Sequence, residues 1–454
     1  MTLGKLCLFS FCFYFGGAMD FLNKVFHLEE AYTNVKRELI AALTTFVSLS
    51  YILFVNPNIL HAAGIPAGAA FTVTAIATAI GCFIMALVAN YPIALAPTLG
   101  SAAFFAYNVC GNMHINWQTA LAAVLVASIL FVLITALHLR ELVVDAIPQD
   151  LKYAISAGIG LFIAFIGLQN GKLIVDSSSS LVTLGKFSSP AVWITLFGLI
   201  LTVILMSMNV PGSIFIGMII TAIFGICIGQ IPLPTSFIST PPSIAPTFGQ
   251  AIFHLSDINT PQLFIVVLTF LLVTFFDTAG TLIGMTEQAG LVDKNGKIPR
   301  IGRAFAADST AMIEGAILGT APLGTSVESS AGIAMGGKTG LTAMFIGIFF
   351  LISMIFSPLL AVIPTTVTAP ALIIVGVLMA SNLKKIDWEK FEIAFPSFLI
   401  VVGMPLTYSI SDGLALGMIA YPITMIATKR YKDVSIMMYV LFFIFIGFFL
   451  ITNL

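Results

Sequence analysis

Long apolar segments recur along almost the whole chain, and they restrict its fold more than any other feature does. A helix that spans a bilayer needs about 17–25 mostly apolar residues. Stretches that meet or approach this length lie at 39–56, 69–89, 118–137, 151–169, 191–208, 212–229, 263–284, 341–363, 367–382, 393–409 and 411–428. The pattern therefore predicts an all-α, polytopic membrane protein that is embedded in the lipid bilayer.

Composition excludes several other classes of protein. Only 9% of the 454 residues are charged, whereas about 25% is usual in soluble domains. The formal net charge of −1 provides no basic surface for nucleic acid. Cysteines and histidines are scattered, with no CxxC pair and no HExxH, Cys-His or Ser-His-Asp constellation. We therefore expect no enzyme, no catalytic residues, no metal and no cofactor.

Two further segments, 91–107 and 320–338, are interrupted by proline and glycine, and 302–318 reads as a helix of moderate hydrophobicity. With these, the chain holds fourteen elements up to residue 428. The two interrupted segments contain similar strings, Ala-Pro-Thr-Leu-Gly-Ser at 96–101 and Ala-Pro-Leu-Gly-Thr-Ser at 321–326. Each half then has seven elements, and an odd number inverts the second copy. The sequence predicts a 7+7 inverted repeat with paired broken helices; chance similarity of the short strings is the alternative.

The predicted order of domains follows from the repeat and from the positions of Lys and Arg. The ranges are a cytoplasmic N-terminal segment 1–37, a first repeat 38–230, an extracytoplasmic connection 231–261, a second repeat 262–430 and a C-terminal apolar helix 431–454. The connection carries no Lys or Arg, whereas 290–303 carries four. By the positive-inside rule the N-terminus is cytoplasmic.

Both ends of the chain leave a question open. The run 434–452 is either a further crossing or a helix lying in the interface. Residues 1–18 resemble a short signal-like stretch, so Met19 is a candidate for the natural start of the chain.

Two acidic residues stand inside apolar segments. Glu328 lies in the small-residue stretch 319–332, and Asp277 lies in Phe-Phe-Asp-Thr-Ala-Gly-Thr at 275–281. A carboxylate at the membrane centre costs about 2.5–3.5 kcal/mol on insertion scales, so it needs a partner or a function. Thr281 follows Asp277 by one helical turn and shares its face. Each acid also has a purely structural alternative to a role in a binding site. Glu328 could complement the dipole of its helix, and Asp277 could make a structural hydrogen bond.

Broken helices also free backbone groups, which are tolerated only inside protein or at a wet cavity. The stretches 96–101 and 320–326 could satisfy each other as two short extended segments. Gly100 and Ser101 would then begin one half-helix, and Ser326 with Glu328 would begin the other. This arrangement gathers donors and a carboxylate around one small volume, which suits a small polar solute.

Several motifs resemble the nucleobase:cation symporter-2 family, in the branch of adenine, guanine and hypoxanthine permeases. The motifs are Thr-Thr-Phe at 44–46, Tyr-Ile-Leu-Phe-Val-Asn-Pro at 51–57, Ala-Phe-Phe-Ala-Tyr at 103–107, 275–284, 327–343 and 405–413. The resemblance covers about residues 26–430. It implies a uracil-permease-like fold with a core domain (helices 1–4 and 8–11) and a gate domain (helices 5–7 and 12–14).

The resemblance also implies a function. Asp277 and Glu328 would be the acidic pair of the eighth and tenth helices. Both would take part in proton coupling and in substrate binding, and Thr281 would bind substrate beside them. The chain would import a purine nucleobase across the cell membrane by proton symport, and guanine or hypoxanthine is the main expectation. Other outcomes stay open: adenine or xanthine, a pyrimidine base or another neutral solute, sodium coupling or facilitated diffusion, and a homodimer.

The chain departs from the family pattern at two positions near the predicted site. Ala102 stands where the branch usually has asparagine, and Ser326 stands where tyrosine is common before the acid. The preferred base is therefore left open by the sequence.

Overall fold

The computed structural model describes residues 21–137, 147–178, 180–234, 236–291 and 298–452. The proposed start at Met19, and the residues before it, lie outside this part of the chain. Within the described residues, eight helices are long and apolar enough to cross a membrane, and four shorter apolar helices accompany them. The predicted helical membrane fold is confirmed.

The first half of the chain supplies seven predicted membrane elements, several of them in two pieces. They are α1 (Val35–Leu49) with α2 (Ile52–Ala62), α3 (Ala67–Ile84) with a π-helical turn (Met85–Ala89), β1 (Leu95–Pro97) with α4 (Leu99–Ala103) and a π-helical stretch (Phe104–Asn112), α5 (Trp117–Ala136), α6 (Gln149–Asn170), α7 (Pro190–Ser207) and α8 (Ser213–Cys227).

The second half repeats this order. After a short helix α9 (Gln250–Phe253) and a 3-10 turn (Leu255–Asp257) come α10 (Pro261–Gln288), α11 (Ile301–Leu318), β4 (Leu323–Thr325) with α12 (Ser329–Ala334), α13 (Gly340–Ser353) with a 3-10 stretch (Met354–Val362), α14 (Thr365–Ala380) with a 3-10 turn (Ser381–Lys385), α15 (Phe391–Thr407) and α16 (Ile410–Ala427). Each interrupted segment thus has a counterpart at the same place in the other half.

A small antiparallel sheet joins the two interrupted segments. Strand β1 pairs with β4, with Ala96 opposite Gly324. The ladder continues beyond both strands, because Thr98 N–H donates to Pro322 O and Ser326 N–H donates to Ala94 O, each at 3.0 Å. The pairing satisfies backbone groups that a broken helix leaves without intrahelical partners. The predicted mutual satisfaction of the two segments is therefore found in the structure.

Glycines let the neighbouring helices approach this sheet closely. A Cβ on Gly315 of α11 would lie 2.2 Å from Cδ1 of Leu323, and a Cβ on Gly81 of α3 would lie 3.0 Å from Cδ2 of the same leucine. Leu323 is fully buried. Larger residues at either glycine would push the strand away from its helices, so these positions help to fix the sheet in the middle of the protein.

The helices pack in two groups. In one group, called the core here, α1 contacts α12 and α13, α3 contacts α2, α11 and α13, and α5 contacts α10 and α11. In the other group, called the gate, α6 packs on α14 and α15, α7 on α8 and α14, and α15 on α16. The two groups contain the same membrane helices that the resemblance implies for the core domain and the gate domain.

A buried carboxylate fastens the start of α1 to the second half of the core. Glu38 is fully buried and accepts hydrogen bonds from the hydroxyls of Thr33 (2.8 Å), Thr339 (2.9 Å) and Thr342 (2.6 Å) and from the backbone N–H groups of Lys338 and Thr339. Such a set of donors compensates the loss of water around a buried charge. The hydrogen bonds therefore explain why Glu38 can be buried, and its burial needs no functional explanation.

One hairpin was not predicted from the sequence. Strands β2 (Ile174–Ser177) and β3 (Leu181–Leu184) form an exposed antiparallel hairpin between α6 and α7.

The last apolar run forms the expected C-terminal helix, α17 (Ile436–Thr452), which packs against α16 of the gate and α10 of the core. The open question of whether this run crosses the membrane stays open.

Candidate functional site

A cavity of about 640 Å³ lies between core and gate. Its core wall includes Tyr51, Gly100, Thr281, Ser326 and Glu328. Its gate wall includes Ser156, Met206, Ser213, Met379 and Asn382. Ligand pockets typically have volumes of about 300–1,000 Å³ and few, well-placed polar groups. The cavity is large enough for a small planar solute with some water.

Glu328 is half-buried on the core wall, at the residue before α12. The Tyr51 hydroxyl donates to its Oε1 atom at 2.5 Å, and the Ser326 hydroxyl donates to its Oε2 atom at 2.5 Å. Both oxygens are therefore held by neutral donors. Each carboxylate oxygen can accept more than one hydrogen bond, so the group keeps acceptor capacity for a solute while its orientation is fixed.

Three further hydroxyl groups line the same cavity as this carboxylate. Ser48, Thr98 and Thr325 line the cavity, and their buried side-chain oxygens have no hydrogen-bond partner among the residues that the structure describes. Buried polar atoms in native proteins are nearly always hydrogen-bonded, to protein or to water. We therefore expect these three hydroxyls to form hydrogen bonds with water or with a bound solute.

The backbone adds donors at the same place. The first N–H groups of a helix have no intrahelical acceptors. Two such helix starts contribute to the cavity wall, because Thr98, which precedes α4, and Glu328, which precedes α12, both line it. The site thus combines one carboxylate, several hydroxyls and backbone N–H groups.

The structure brings four of the predicted residues together. Glu328, Ser326, Thr281 and Gly100 line the same cavity. Ser101 does not line it: this serine is fully buried, and its hydroxyl lies 3.3 Å from that of Thr274.

Asp277 lies within α10, one turn before Thr281, but its side chain lies outside what the structure describes. The predicted pairing of Asp277 with Glu328 stays a prediction.

Tyr51 was missed by the sequence reasoning. It lies at the interruption between α1 and α2, is only 2% exposed, and reaches Glu328 across 277 positions of sequence. The residue stands in a motif that carries the resemblance, and a polar aromatic inside a membrane segment is itself a signal. Apolar surroundings made it resemble a packing residue.

The opposite end of the boundary between core and gate is closed by aromatic rings. The ring of Tyr408, in the turn between α15 and α16, packs edge-on against Tyr107 of the core at 6.2 Å between centroids, and against Phe162 and Phe165 of α6 at 5.5 and 6.1 Å. Asn112 donates its side-chain N–H to Tyr408 O at 2.8 Å. We call Tyr107, Phe162, Phe165 and Tyr408 the aromatic seal.

Comparison with known proteins agrees with this architecture. Residues 36–416 match the model of the Permease family (Xan_ur_permease). The chain is 50% identical to the guanine/hypoxanthine permease PbuG of Bacillus subtilis, over 94% of this chain and 99% of the relative. It is 40% identical to the adenine permease AdeQ of Escherichia coli, over 91% of this chain and 93% of the relative.

Solved structures share the fold at low sequence identity. The transmembrane domain of the cyanobacterial bicarbonate transporter BicA superposes with a TM-score of 0.60 at 17% identity, covering 87% of this chain and 97% of that domain. The anion transporter family member SLC26A9 also gives a TM-score of 0.60, at 10% identity, covering 92% of this chain and 70% of its own. These likenesses show the fold alone. The 7+7 inverted-repeat architecture with two broken segments is confirmed.

Proposed function

This chain belongs to the Permease family, in the purine-base branch of the nucleobase:cation symporter-2 family, and from that membership we propose that it imports purine bases together with protons. Guanine and hypoxanthine are the proposed cargo, because the relative with 50% identity is named for them. The chain is a transporter and not an enzyme. The observation that carries the proposal is the carboxylate of Glu328, held by two hydroxyls in a cavity between core and gate.

The chemistry of Glu328 suits the six-membered ring of guanine or hypoxanthine. A carboxylate accepts two hydrogen bonds side by side, so it can accept the ring N–H and the exocyclic amine of guanine together, or the ring N–H of hypoxanthine alone. The hydroxyls of Ser48, Thr98 and Thr325 can donate to the carbonyl and ring nitrogens. An anionic cargo would be repelled by the carboxylate, which disfavours for this chain the anion transport for which solved structures of the same fold are named.

Coupling to protons follows from the same group. A negative carboxylate is expensive to move through an apolar boundary, and protonation removes the charge. We propose that Asp277 and Glu328 take up the proton and that Thr281, which lines the cavity, completes the site. The loaded core would then shift against the gate, with residues 38–230 and 262–430 as the two repeats.

The direction of the opening supports an inward-facing state. The gate side of the cavity includes Met206 and residues 209–213, where α7 ends and α8 begins, and Leu378, Met379 and Asn382, shortly before Lys384 and Lys385. By the positive-inside rule this end faces the cytoplasm, as does the N-terminus. The aromatic seal then faces outward.

Uptake of labelled bases into a host that lacks purine uptake tests the proposal. We expect hypoxanthine and guanine to accumulate, uracil to stay at background, and a protonophore to stop accumulation while removal of sodium leaves it unchanged. If no purine accumulates while the protein is present in the membrane, the assignment to purine transport is wrong. Accumulation that persists without a proton gradient and stops without sodium would instead assign sodium as the coupling ion.

A further inference from the structure

The gate wall of the cavity carries a hydrogen-bonded pair of polar side chains opposite the core site. Ser156 lies on α6, and Asn382 lies in the 3-10 turn that follows α14. The Asn382 side-chain N–H donates to the Ser156 hydroxyl oxygen at 3.0 Å, and both residues line the cavity that holds Glu328. Both are half-buried. Polar side chains inside membrane segments usually face a bundle interior or a solute path.

The pair lies close to the point where the gate meets the binding segment. Ile159 follows Ser156 by three residues, so the two share one face of α6. A Cβ on Gly100 would lie 2.9 Å from Cγ2 of Ile159, which shows that α6 touches the start of α4 at this level. Ser156 is therefore roughly 4.5 Å along the helix axis, slightly less than one turn, from Ile159 at the contact between gate and site.

The pair offers one donor and one acceptor to the cavity. Because Asn382 gives an N–H to the Ser156 oxygen, the Ser156 hydroxyl hydrogen stays available as a donor, and the Asn382 side-chain carbonyl stays available as an acceptor. Among the described residues, no other side-chain hydrogen bond involves either group.

The five-membered ring of a purine carries the matching groups. In either tautomer it has one ring N–H and one ring nitrogen with a free lone pair. We propose that Ser156 and Asn382 form the gate half of the cargo site and bind this imidazole edge, the lone pair accepting from Ser156 and the N–H donating to Asn382. This inference rests on the proposed purine transport and names the feature that separates purines from pyrimidines, which have no second ring.

A purely structural role for the pair is the competing explanation. The pair could brace α6 against α14, but these helices already pack closely through glycine. A Cβ on Gly160 would lie 2.8 Å from Gly376 O, and a Cβ on Gly167 would lie 3.0 Å from Ala369 O. Removal of one hydroxyl should therefore leave the gate folded.

Binding of two ligands to purified variants tests the inference. The ligands are hypoxanthine and 7-deazahypoxanthine, whose five-membered ring keeps its N–H but has no lone pair. We expect Ser156→Ala to weaken hypoxanthine binding about tenfold, as loss of one hydrogen bond predicts, and to change 7-deazahypoxanthine binding less than twofold. Asn382→Ala should weaken both ligands by a similar factor, because both retain the N–H.

Thr195→Ala is the matched control. The Thr195 hydroxyl donates to Thr366 O at 3.2 Å and so also joins two gate helices, but it does not line the cavity. This variant should bind both ligands like the unmodified protein. Hypoxanthine binding that is unaffected by Ser156→Ala, or an equal loss for both ligands in that variant, would overturn the inference and leave purine transport intact. Failure of the unmodified protein to bind hypoxanthine or guanine would overturn both.

Discussion

The two ends of the boundary between core and gate differ in the chemistry of their contacts. At the open end, the core presents Glu328, Ser326 and Gly100 to a cavity, and Ile159 of the gate lies against Gly100. At the closed end, the Tyr408 ring of the gate packs against the Tyr107 ring of the core, with Phe162 and Phe165 of the gate beside it. One end thus presents polar groups to a cavity, and the other joins core and gate through aromatic rings.

This difference suits a carrier that alternates without breaking the core half of its site. Aromatic pairs contribute about 0.5–1.5 kcal/mol each beyond the area that they bury. Only one ring contact of the seal, between Tyr408 and Tyr107, joins gate to core, so it holds the closed end by about 1 kcal/mol. The core half of the site, which carries Glu328, lies on segments tied by the β1–β4 pairing and can move as a unit.

The largest effect is expected from removing the charge at the open end. Glu328→Gln replaces one acceptor oxygen with a donor that faces the ring N–H of the base. Hydrogen bonds to charged groups contribute about 1.5–3 kcal/mol, so we expect a loss of hypoxanthine affinity of about tenfold to somewhat more than a hundredfold in binding measurements on purified protein. Glu389→Gln, an exposed acid on the same side, is the control and should bind normally. Unchanged affinity in Glu328→Gln would exclude the carboxylate as a cargo ligand.

A smaller effect is expected from opening the aromatic seal. Tyr408→Ala removes the three ring contacts, whereas Tyr408→Phe keeps the ring and is the control. Only the contact with Tyr107 crosses to the core. Its loss, about 1 kcal/mol, shifts the balance between the two states about fivefold toward the outward-open one.

Cys110 reports on this opening, because it is half-buried one turn after Tyr107. With the other cysteines changed to serine, an impermeant thiol reagent added outside should modify Cys110 about fivefold faster in Tyr408→Ala than in Tyr408→Phe. Equal rates in the two variants would show that the rings do not hold this end closed.

Sequence reasoning predicted the open end better than the closed one. The long apolar segments and the repeated Ala-Pro strings gave the helices, the broken elements and the pairing of 96–101 with 320–326. The free energy of burying a carboxylate singled out Glu328. These signals are local or repeat-related, so a single sequence contains them.

Contacts between distant helices were not predictable in this way. Tyr51 meets Glu328 across 277 positions, and Asn382 meets Ser156 across 226. Tyr408 joins the aromatic seal only because the turn between α15 and α16 lies beside Tyr107. Aromatic and small polar residues are common in membrane helices, and only the packing decides which of them face each other.

A further effect on uptake is expected where the open end is narrowest. A Cβ at Gly100 would lie 2.9 Å from Cγ2 of Ile159, so Gly100→Ala forces the core and gate apart or shifts the isoleucine. Overpacking of this kind costs about 1–3 kcal/mol, and we expect uptake of hypoxanthine to slow about tenfold. Ile159→Ala in the same chain removes the clashing methyl group and should restore most of the rate.

Gly111→Ala is the matched change at the closed end. A Cβ there would lie 3.4 Å from Ala106 O, an ordinary contact, so uptake should stay within twofold of normal. Two results would contradict this interpretation: an equal slowing of uptake in Gly111→Ala and Gly100→Ala, or no rescue by Ile159→Ala. Either result would show that the close contact between Gly100 and Ile159 does not limit the movement of the core past the gate. The rescue by Ile159→Ala thus separates a steric effect between the two groups from a general loss of stability, because a merely destabilised core would not recover when a second side chain is shortened.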